Sequence, residues 1–213
     1  EIGFAVASHY LYLTEGQRKV IVNIAAATYT QLHNKRVDCF LTTEKGWFRV
    51  PGNIVFTATG STRFSDNTTP CARLSFTLPG DVPPIVNYNP SIHGGTYNVA
   101  TPLLKIYLVQ DLSTAYQYES LKNITITKIE VRVEVGVMES YQQLGLKNLL
   151  LSNDYGPIDA SKPFLPFGPQ PKKDAGFVIG HKEIFSKKNL SLKLNIEWAE
   201  LPDSTSKIKY VTN

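Results

Sequence analysis

Two runs of alternating apolar and polar residues limit what this chain can fold into. In the first run, KIEVRVEVGV at 128–137, every odd position is apolar and the even positions through Glu134 are charged. The second run, NLSLKLNIEW at 189–198, alternates in the same way and ends at Trp198. Successive side chains of a strand point to opposite faces, so this period indicates half-buried β-strands. We expect Trp198 to be buried in the core with the leucines of its run.

The segment between these runs, SNDYGPIDASKPFLPFGPQP at 152–171, has a different character. It is too rich in Pro, Gly, Asn and Asp for a helix or an inner strand. It also carries Phe164, Leu165 and Phe167, whose exposure to water is unfavourable. We interpret it as a long, ordered loop made rigid by its prolines, with at least one of the two phenylalanines buried. The phenylalanines either fold back onto the end of their own domain, which we favour slightly, or contact a partner.

Shorter alternating stretches occur through the rest of the chain. They lie at 10–13, 18–25, 37–41, 54–58, 72–78, 104–108 and 124–126, and a turn at 44–46 leads into a returning strand at 47–50. Helical patterns are nearly absent, apart from a short helix within 142–152 and a turn or two within 24–32. With roughly eight or more strands and no helix to cover a sheet, the sheets must cover each other. We therefore expect a single all-β domain over 1–213: a two-sheet antiparallel β-sandwich of jelly-roll or Greek-key type, with long Pro/Gly-rich loops and little helix.

The alternation changes phase at one point in the first run. Ile124 and Ile126 are apolar at even positions, whereas the apolar positions from Ile129 onward are odd. A slip of one residue would place the charged face in the core. A β-bulge near Thr127 and Lys128 would absorb the change.

The composition excludes several classes of protein. Hydrophobic residues make up 42% of the chain and charged residues 19%, as in ordinary globular proteins. The net charge is +4 and no run of Lys or Arg exceeds two residues, so nucleic acid is not an expected partner. No apolar run is long enough for a membrane span. The chain begins with Glu1 and its only Met is Met138, so we interpret it as a fragment of a longer or processed chain.

The cysteines and histidines show no metal-site spacing. Cys39 and Cys71 lie in strand patterns, and we interpret them as buried thiols, with a disulfide as the alternative. None of the histidines has a second His or a Cys at ligand spacing, which favours surface or loop positions for all of them. They are His9, His33, His93 and His181.

The sequence contains no pattern of residues typical of an enzyme. A nucleophile elbow, a P-loop and a dinucleotide fingerprint are all missing, so we expect neither catalysis nor a cofactor. Asp154 and Asp159 are the candidates for a calcium site, although such residues more often cap turns. Trp47 and several tyrosines are candidates for a carbohydrate-binding surface, although most aromatic residues in strand patterns belong to the core.

A series of segments takes the interpretation further. In chain order they are LYLTEGQRKVIVNI, LTTEKGWF, PPIVNYNPSIHGG, PLLKIYL, YESLKNITITKIEVRVEVGV, SNDYGPIDASKPFLPFGPQP, FVIGHKEIFSKK and LSLKLNIEWAELP. This series resembles the baseplate-J-like or baseplate-wedge proteins of contractile, phage-tail-like injection systems, over about 10–202. Its most specific pieces are LTEGQR, EKGW, SKPFLPFGPQP and IGHKEIF.

The resemblance implies a structural role in a bacterial baseplate. The chain would be one domain of a longer protein that holds neighbouring subunits around a central tube or spike. It would be made in the bacterial cytoplasm during assembly and then form part of the particle. The residues expected at the subunit interface are Lys162, Phe164, Phe167 and Trp47. The alternative is a carbohydrate- or ligand-binding β-sandwich, which predicts an exposed platform of coplanar aromatic rings or a bound calcium ion.

Overall fold

Antiparallel β-strands account for most of the regular structure in this protein. The computed structural model describes residues 2–12, 17–109, 121–135, 138–139, 142–143, 149–186, 192 and 194. The strands are β1 (Gly3–Ala7), β2 (Arg18–Ala26), β3 (Arg36–Thr43), β4 (Gly46–Arg49), β5 (Ile54–Val55), β6 (Ala72–Leu78), β7 (Leu103–Leu108), β8 (Ile126–Val135), β9 (Met138–Glu139), β10 (Gln142–Gln143), β11 (Leu150–Asn153), β12 (Gly156–Ile158) and β13 (Phe177–Gly180). The helices are 3-10 turns at His9–Leu11 and Tyr29–Leu32 and the short α-helices α1 (Pro90–His93) and α2 (Lys182–Ser186). None of the helices described in these ranges has the length and apolar character needed to cross a membrane.

Contacts along the chain divide it into two compact units. The first unit is Glu1–Lys147 and contains β1 through β10. The second is Asn148–Asn213 and contains β11, β12, β13 and α2. That 1–213 forms a single domain stays a prediction.

Two antiparallel sheets of the first unit share a core, and β9 and β10 pair as a separate two-stranded sheet. The first sheet has the strand order β1-β7-β3-β4, with β5 also paired to β3, and the second has the order β6-β2-β8. Most consecutive strands lie in opposite sheets. Leu41 and Leu104 of the first sheet and Val22 and Leu74 of the second are fully buried in one apolar cluster. The expected all-β sandwich of two antiparallel sheets is confirmed.

Two of the strands show how the sequence pattern produces this packing. In β6 the buried and half-buried positions alternate without a break, and the buried ones face the first sheet. In β2 nearly every residue is buried, because this strand is central in its sheet and both of its faces are covered. Its outer face is covered by the loop at 60–70, whose Phe64 packs with Ala25 and Cys71 in a second, smaller apolar cluster.

Polar contacts attach this loop to the second sheet. The side-chain amide of the fully buried Asn23 donates to the Glu130 carboxylate at 2.7 Å, and the Arg73 guanidinium donates to the side-chain oxygen of Asn23 at 2.9 Å. The same carboxylate accepts bonds from the hydroxyl and the backbone N–H of Ser65, a residue of the loop. The buried Asn23 amide thus joins three neighbouring strands, and the Glu130 carboxylate joins them to the loop.

The predicted β-bulge is confirmed. β8 pairs with β2 in steady register from Val135 to Lys128, and Lys128 faces Ala25. The next pair joins Ala26 to Ile126, so Thr127 is the extra residue. Its hydroxyl donates to the backbone carbonyl of Ala25 at 3.2 Å. The bulge moves the apolar positions on both sides of it onto compatible faces.

Several local predictions were correct and others were wrong. The hairpin of β3 and β4 and the 3-10 turn at Tyr29–Leu32 are confirmed. The strand predicted at 10–13 is wrong where it is described, because His9–Leu11 forms a 3-10 turn that Ser8 caps. The helix predicted over 142–152 is wrong at its two ends, where β10 and part of β11 lie, and its middle, 144–148, lies outside the described residues.

The strand predicted at 189–198 lies almost entirely outside the described residues, and so does Trp198. Its two described members are Leu192 and Leu194. They belong to no strand and are 56% and 54% exposed, which does not agree with the buried face predicted for them.

Both cysteines are free and buried, as the preferred interpretation predicted. Cys39 lies in the core between the sheets, and Cys71 lies in the smaller cluster beside Phe64. Burial, together with the charge of Asp38, raises the pKa of the Cys39 thiol to about 12. Burial also raises the pKa of Cys71.

Candidate functional site

The backbone of residues 159–171, here called the proline loop, is held by hydrogen bonds within the second unit. The Asn153 side-chain amide donates to the Leu165 carbonyl oxygen at 3.2 Å, and the Tyr155 hydroxyl donates to the Gln170 carbonyl oxygen at 2.7 Å. The Gly168 N–H donates to the backbone carbonyl oxygen of Leu165 at 3.1 Å, and this bond closes a turn. The loop thus has a defined shape although it contains no strand or helix.

Gly168 is required in this turn for two reasons. Its φ is +80°, a left-handed conformation that side chains disfavour. A Cβ atom at this position would also overlap the ring of Tyr155. The same tyrosine therefore packs on the glycine and anchors the end of the loop.

The segment that the sequence assigned to one loop also contains regular structure. Ser152 and Asn153 end β11, and Gly156–Ile158 forms β12, an edge strand of the sheet ordered β12-β11-β13. Pro157 is compatible with this position because an edge strand needs its N–H groups on one side only. The prediction that 152–171 is one long loop is wrong at these residues. Ser152 and Asn153 also lie on an inner strand, which the sequence excluded for this segment.

Phe164 and Phe167 both pack against Phe177 of β13, yet neither is buried. The rings of Phe164 and Phe177 are stacked with centroids 5.9 Å apart, and Phe167 meets Phe177 edge-on at 6.5 Å. Phe164 remains 39% exposed and Phe167 45% exposed, so the prediction that at least one is buried is wrong. The ring of Phe177 alone offers too little surface to cover both phenylalanines of the loop.

Two further residues of the proline loop are largely exposed. Leu165 is 62% exposed, and the Lys162 side chain is 78% exposed with its ammonium group 3.8 Å from Asp159. Such an exposed pair contributes little to stability. Lys162, Phe164 and Phe167 therefore lie together on one short segment, as the sequence suggested, and Leu165 joins them.

The opposite face of the same sheet carries an open, apolar groove of about 330 Å³. Its lining residues are Leu149, Leu150, Leu151, Ser152, Pro157, Ile158, Val178 and Gly180. Leu150 is 74% exposed and Val178 is 60% exposed. Sequence reasoning missed this groove, because the strands that form it are short and were not predicted.

The two calcium candidates accept hydrogen bonds from neighbouring loop residues. Asp154 accepts from the Gly176 N–H at 3.2 Å. Asp159 accepts from the hydroxyl and the N–H of Ser161, and these bonds lower the pKa of its carboxyl group. Among the residues that the structure describes, no group of three or more His, Cys, Asp or Glu side chains is placed to hold a metal ion.

Trp47 lies on β4 in the first unit and contacts its own chain. Its indole N–H donates to the His93 carbonyl oxygen at 2.5 Å, and the Lys105 ammonium lies 3.7 Å from the centre of its ring. It meets the rings of His93 and Tyr97 at interplanar angles of 67° and 70°. A carbohydrate platform would need these rings to be coplanar, so the cluster does not favour the carbohydrate-binding alternative.

Two of the histidines, for which the sequence favoured surface or loop positions, are buried. His93 and His181 are each only 6% exposed. Nε2 of His93 lies 2.9 Å from the Thr43 carbonyl oxygen, and its Nδ1 lies 3.0 Å from the backbone N of Asn89. His93 thus joins the loop at 88–101 to β3. No spacing in the sequence indicates this contact, which spans 50 positions.

Two comparisons with known proteins find no match for this chain. No protein-family model matches the chain. A search of the curated proteins also finds no match.

Proposed function

We propose that this chain is a structural module of the baseplate of a bacterial contractile, phage-tail-like injection system. It contacts neighbouring subunits through the proline loop and needs no catalytic turnover or cofactor. It is made in the bacterial cytoplasm and becomes part of the particle. The series of segments that resembles baseplate proteins supports the class of protein, and the β-sandwich is compatible with it.

One observation carries the proposal: apolar side chains are exposed on a backbone that is already held in place. Leu165 and Phe167 expose 62% and 45% of their surface. The backbone between them is fixed by the bonds from Asn153 and Gly168. Ordering a flexible segment on binding costs entropy, and a loop rigid before binding avoids much of that cost. Exposed aromatic anchors of this kind supply a large share of the energy at protein interfaces.

The architecture of the first unit also suits a part that transmits force. The pairs that hold its sheets together join strands far apart in the chain, such as β2 with β8 and β1 with β7. Separating such strands requires many backbone hydrogen bonds to break together. A sandwich of this kind therefore resists shear better than a unit held by local contacts.

The proposal can be tested by assembly. The gene is expressed with the sheath, tube and spike genes expected beside it, and particles are purified by sedimentation and viewed by electron microscopy. We expect this chain to be present in intact particles and to be lost from them with Leu165→Lys, which places a charge at the centre of the apolar anchors. The matched control is Ile92→Lys, at an apolar position of the first unit that is 49% exposed. Particles that assemble without this chain, or that retain the Leu165→Lys variant, would contradict the proposal.

A further inference from the structure

We infer that two copies of this chain associate through β8, the two strands pairing antiparallel about a two-fold axis. The second sheet then continues from one copy into the other, with the strand order β6-β2-β8-β8-β2-β6. This contact goes beyond the proposed function, which concerns the proline loop of the second unit. It rests on the first unit alone.

β8 is an edge strand in the part of the chain that the structure describes. It spans Ile126–Val135 and stands last in the order β6-β2-β8, so within that part it pairs on one side only. The 3-10 turn at His9–Leu11 lies beside it but forms no ladder with it, because the N–H groups of Tyr10 and Leu11 bond to Ser8. An edge strand presents a row of N–H and C=O groups that a further strand can bond.

The apolar face of β8 is only partly covered. Ile129, Val131 and Val133 pair with buried residues of β2 and therefore point toward the core between the sheets. Val131 and Val133 are nevertheless only partly buried, and Ile129 is 38% exposed. A strand added at this edge would remove part of this apolar surface from water.

The other face of β8 carries charges of alternating sign, Lys128, Glu130, Arg132 and Glu134. Residues that face each other in an antiparallel pair lie on the same side of the sheet, where opposite charges attract. When the two-fold axis passes through Val131, residues equally distant from it on the two copies face each other. Lys128 then faces the partner's Glu134, and Glu130 faces the partner's Arg132. The symmetry repeats both contacts, so every charge on this face meets one of opposite sign.

The charges also select this register against its neighbours. An axis at Glu130 would place Lys128 opposite the partner's Arg132, and an axis at Arg132 would place Glu130 opposite the partner's Glu134. Like charges in directly opposite positions are destabilising. An axis two residues away, at Ile129 or Val133, would leave part of the charges facing uncharged residues. Only the axis at Val131 pairs all of them.

A second copy fits this edge better than another strand of the chain. Among the edge strands that the structure describes, β1, β5, β12 and β13 carry no charge, and β4 and β6 carry one arginine each. Any of these strands would leave most charges of β8 without a partner. β8 itself is the described strand whose charges match those of β8.

The contacts that these side chains make within one copy do not prevent the pairing. Arg132 lies 3.0 Å from Glu134 and Lys128 lies 3.7 Å from Asp66, but both pairs are exposed and therefore contribute little to stability. The bulge at Thr127 interrupts the regular ladder, and it lies just outside the paired stretch at 128–134. Such a short stretch buries a small area, so we expect a weak dimer.

The test is the oligomeric state of the 213-residue chain, measured by sedimentation velocity and light scattering from about 1 µM to about 1 mM. We expect the mean mass to rise with concentration from the monomer value of 23.7 kDa toward twice that value. It should rise no further, because a two-fold contact uses the same edge on both copies. High salt should weaken the association, since its charge pairs are exposed at the rim of the contact.

Two charge reversals test the register. Lys128→Glu places glutamates opposite each other, and Glu134→Lys places lysines opposite each other, in two of the four charge pairs. We expect each single variant to dimerise at least about tenfold more weakly than the parent. The double variant Lys128→Glu/Glu134→Lys exchanges the two charges, restores every pair and should dimerise like the parent. Arg49→Glu is the control, at a charged side chain of the first sheet that is 65% exposed, and should also associate like the parent.

Mixing the two single variants is the decisive step. One variant then carries two glutamates and the other two lysines at the matching positions, so we expect a mixed dimer that is tighter than the dimer of either variant alone. Both side chains are exposed, 55% for Lys128 and 42% for Glu134, and circular dichroism on each variant checks that its fold is retained.

A parent that stays monomeric at every concentration would overturn the inference. So would a parent dimer that neither single reversal weakens, because its contact would lie on another surface. Folded single variants whose mixture stays as weakly associated as each alone would also overturn it, and so would a mean mass that rises well beyond that of a dimer. Loss of association in both single variants and its return in the double variant and in the mixture would support it.

Discussion

Trp47 donates its indole N–H to the backbone carbonyl of His93 over 2.5 Å, across 46 positions of the sequence. The carbonyl belongs to the last residue of α1, in the loop at 88–101. Nε2 of the same histidine lies 2.9 Å from the Thr43 carbonyl oxygen, so two contacts join the loop to the β3–β4 hairpin. Trp47 therefore holds the chain's own loop, and the partner contact expected for it stays a prediction.

Trp47→Phe tests this contact, because it keeps an aromatic ring and removes the N–H donor. We expect a loss of about 1 kcal/mol in the free energy of unfolding, the usual contribution of one such hydrogen bond. Urea unfolding followed by circular dichroism measures it, and chymotrypsin should cut sooner after Tyr97. Ile92→Ala, in the same loop, is the control and should change neither the free energy of unfolding nor the rate of cleavage after Tyr97. Equal midpoints for Trp47→Phe and the parent would show that the bond does not hold the loop.

Phe64 is the anchor of the loop at 60–70, with 1% of its surface exposed. Phe64→Ala should cost about 3–5 kcal/mol, because it removes a buried ring and leaves a cavity beside Ala25 and Cys71. Phe164→Ala, at a position 39% exposed, should cost much less. The losses in stability are measured by comparing the urea midpoints of the two variants with that of the parent. A Phe64→Ala variant as stable as the parent would mean that the loop does not cover the sheet.

The Glu130 carboxylate makes the attachment of the loop at 60–70 to the second sheet depend on pH. Partial burial acts to raise its pKa, but the hydrogen bonds from Ser65 and Asn23 outweigh burial, and the pKa is lowered from its ordinary 4.5. The folded state therefore releases this proton more readily than the unfolded chain. The stability that results is fully present above the unfolded pKa and is lost as the pH falls through the lower folded value.

Glu130→Gln should lower the urea midpoint at about pH 7, and its difference from the parent should shrink between about pH 5 and about pH 3. The control is Glu134→Gln on the same strand, where the carboxylate pairs with the exposed Arg132 at 3.0 Å. Glu134→Gln should change the urea midpoint little at any pH. A Glu130→Gln difference that stays constant with pH would contradict the assignment.

Gly168→Ala should loosen the proline loop. The new methyl group meets the Tyr155 ring, and φ at this position is +80°. Such a change typically costs more than about 1 kcal/mol. We expect faster chymotrypsin cleavage after Phe164 and Phe167, read by mass spectrometry. Gly60→Ala is the matched control, because a Cβ there meets nothing within 4 Å. Equal cleavage rates in both variants would show that the loop does not depend on this turn.

The two cysteines should be inert in the folded protein. The thiolate is the reactive form of cysteine, and burial raises the pKa of Cys39 to about 12 and raises that of Cys71 as well. We expect no reaction with Ellman's reagent at about pH 8 and full reaction of both thiols once the chain is unfolded in urea. Fast labelling of the folded chain would show that one of these core clusters opens to solvent.

Local patterns in the sequence determined several strands of the first unit and one of their irregularities. The alternation of β6 follows from the requirement that one face of a strand meets a core, and this requirement acts on each residue separately. The bulge at Thr127 follows in the same way, because the apolar positions change from even to odd within a few residues. The hairpin of β3 and β4 needs only a turn between two such strands.

Only the tertiary structure decided which strands are neighbours and what their side chains touch. Asn23 meets Glu130 across 107 positions, and neither residue type nor spacing indicates the pair. Phe164 and Phe167 looked like core residues from their hydrophobicity, yet their burial depends on how much surface the small sheet offers. The groove on the other face exists because Leu150 and Val178 come together from two strands that are each only four residues long. Pairing between distant segments is a property of the whole fold, and periodicity, which is local, does not specify it.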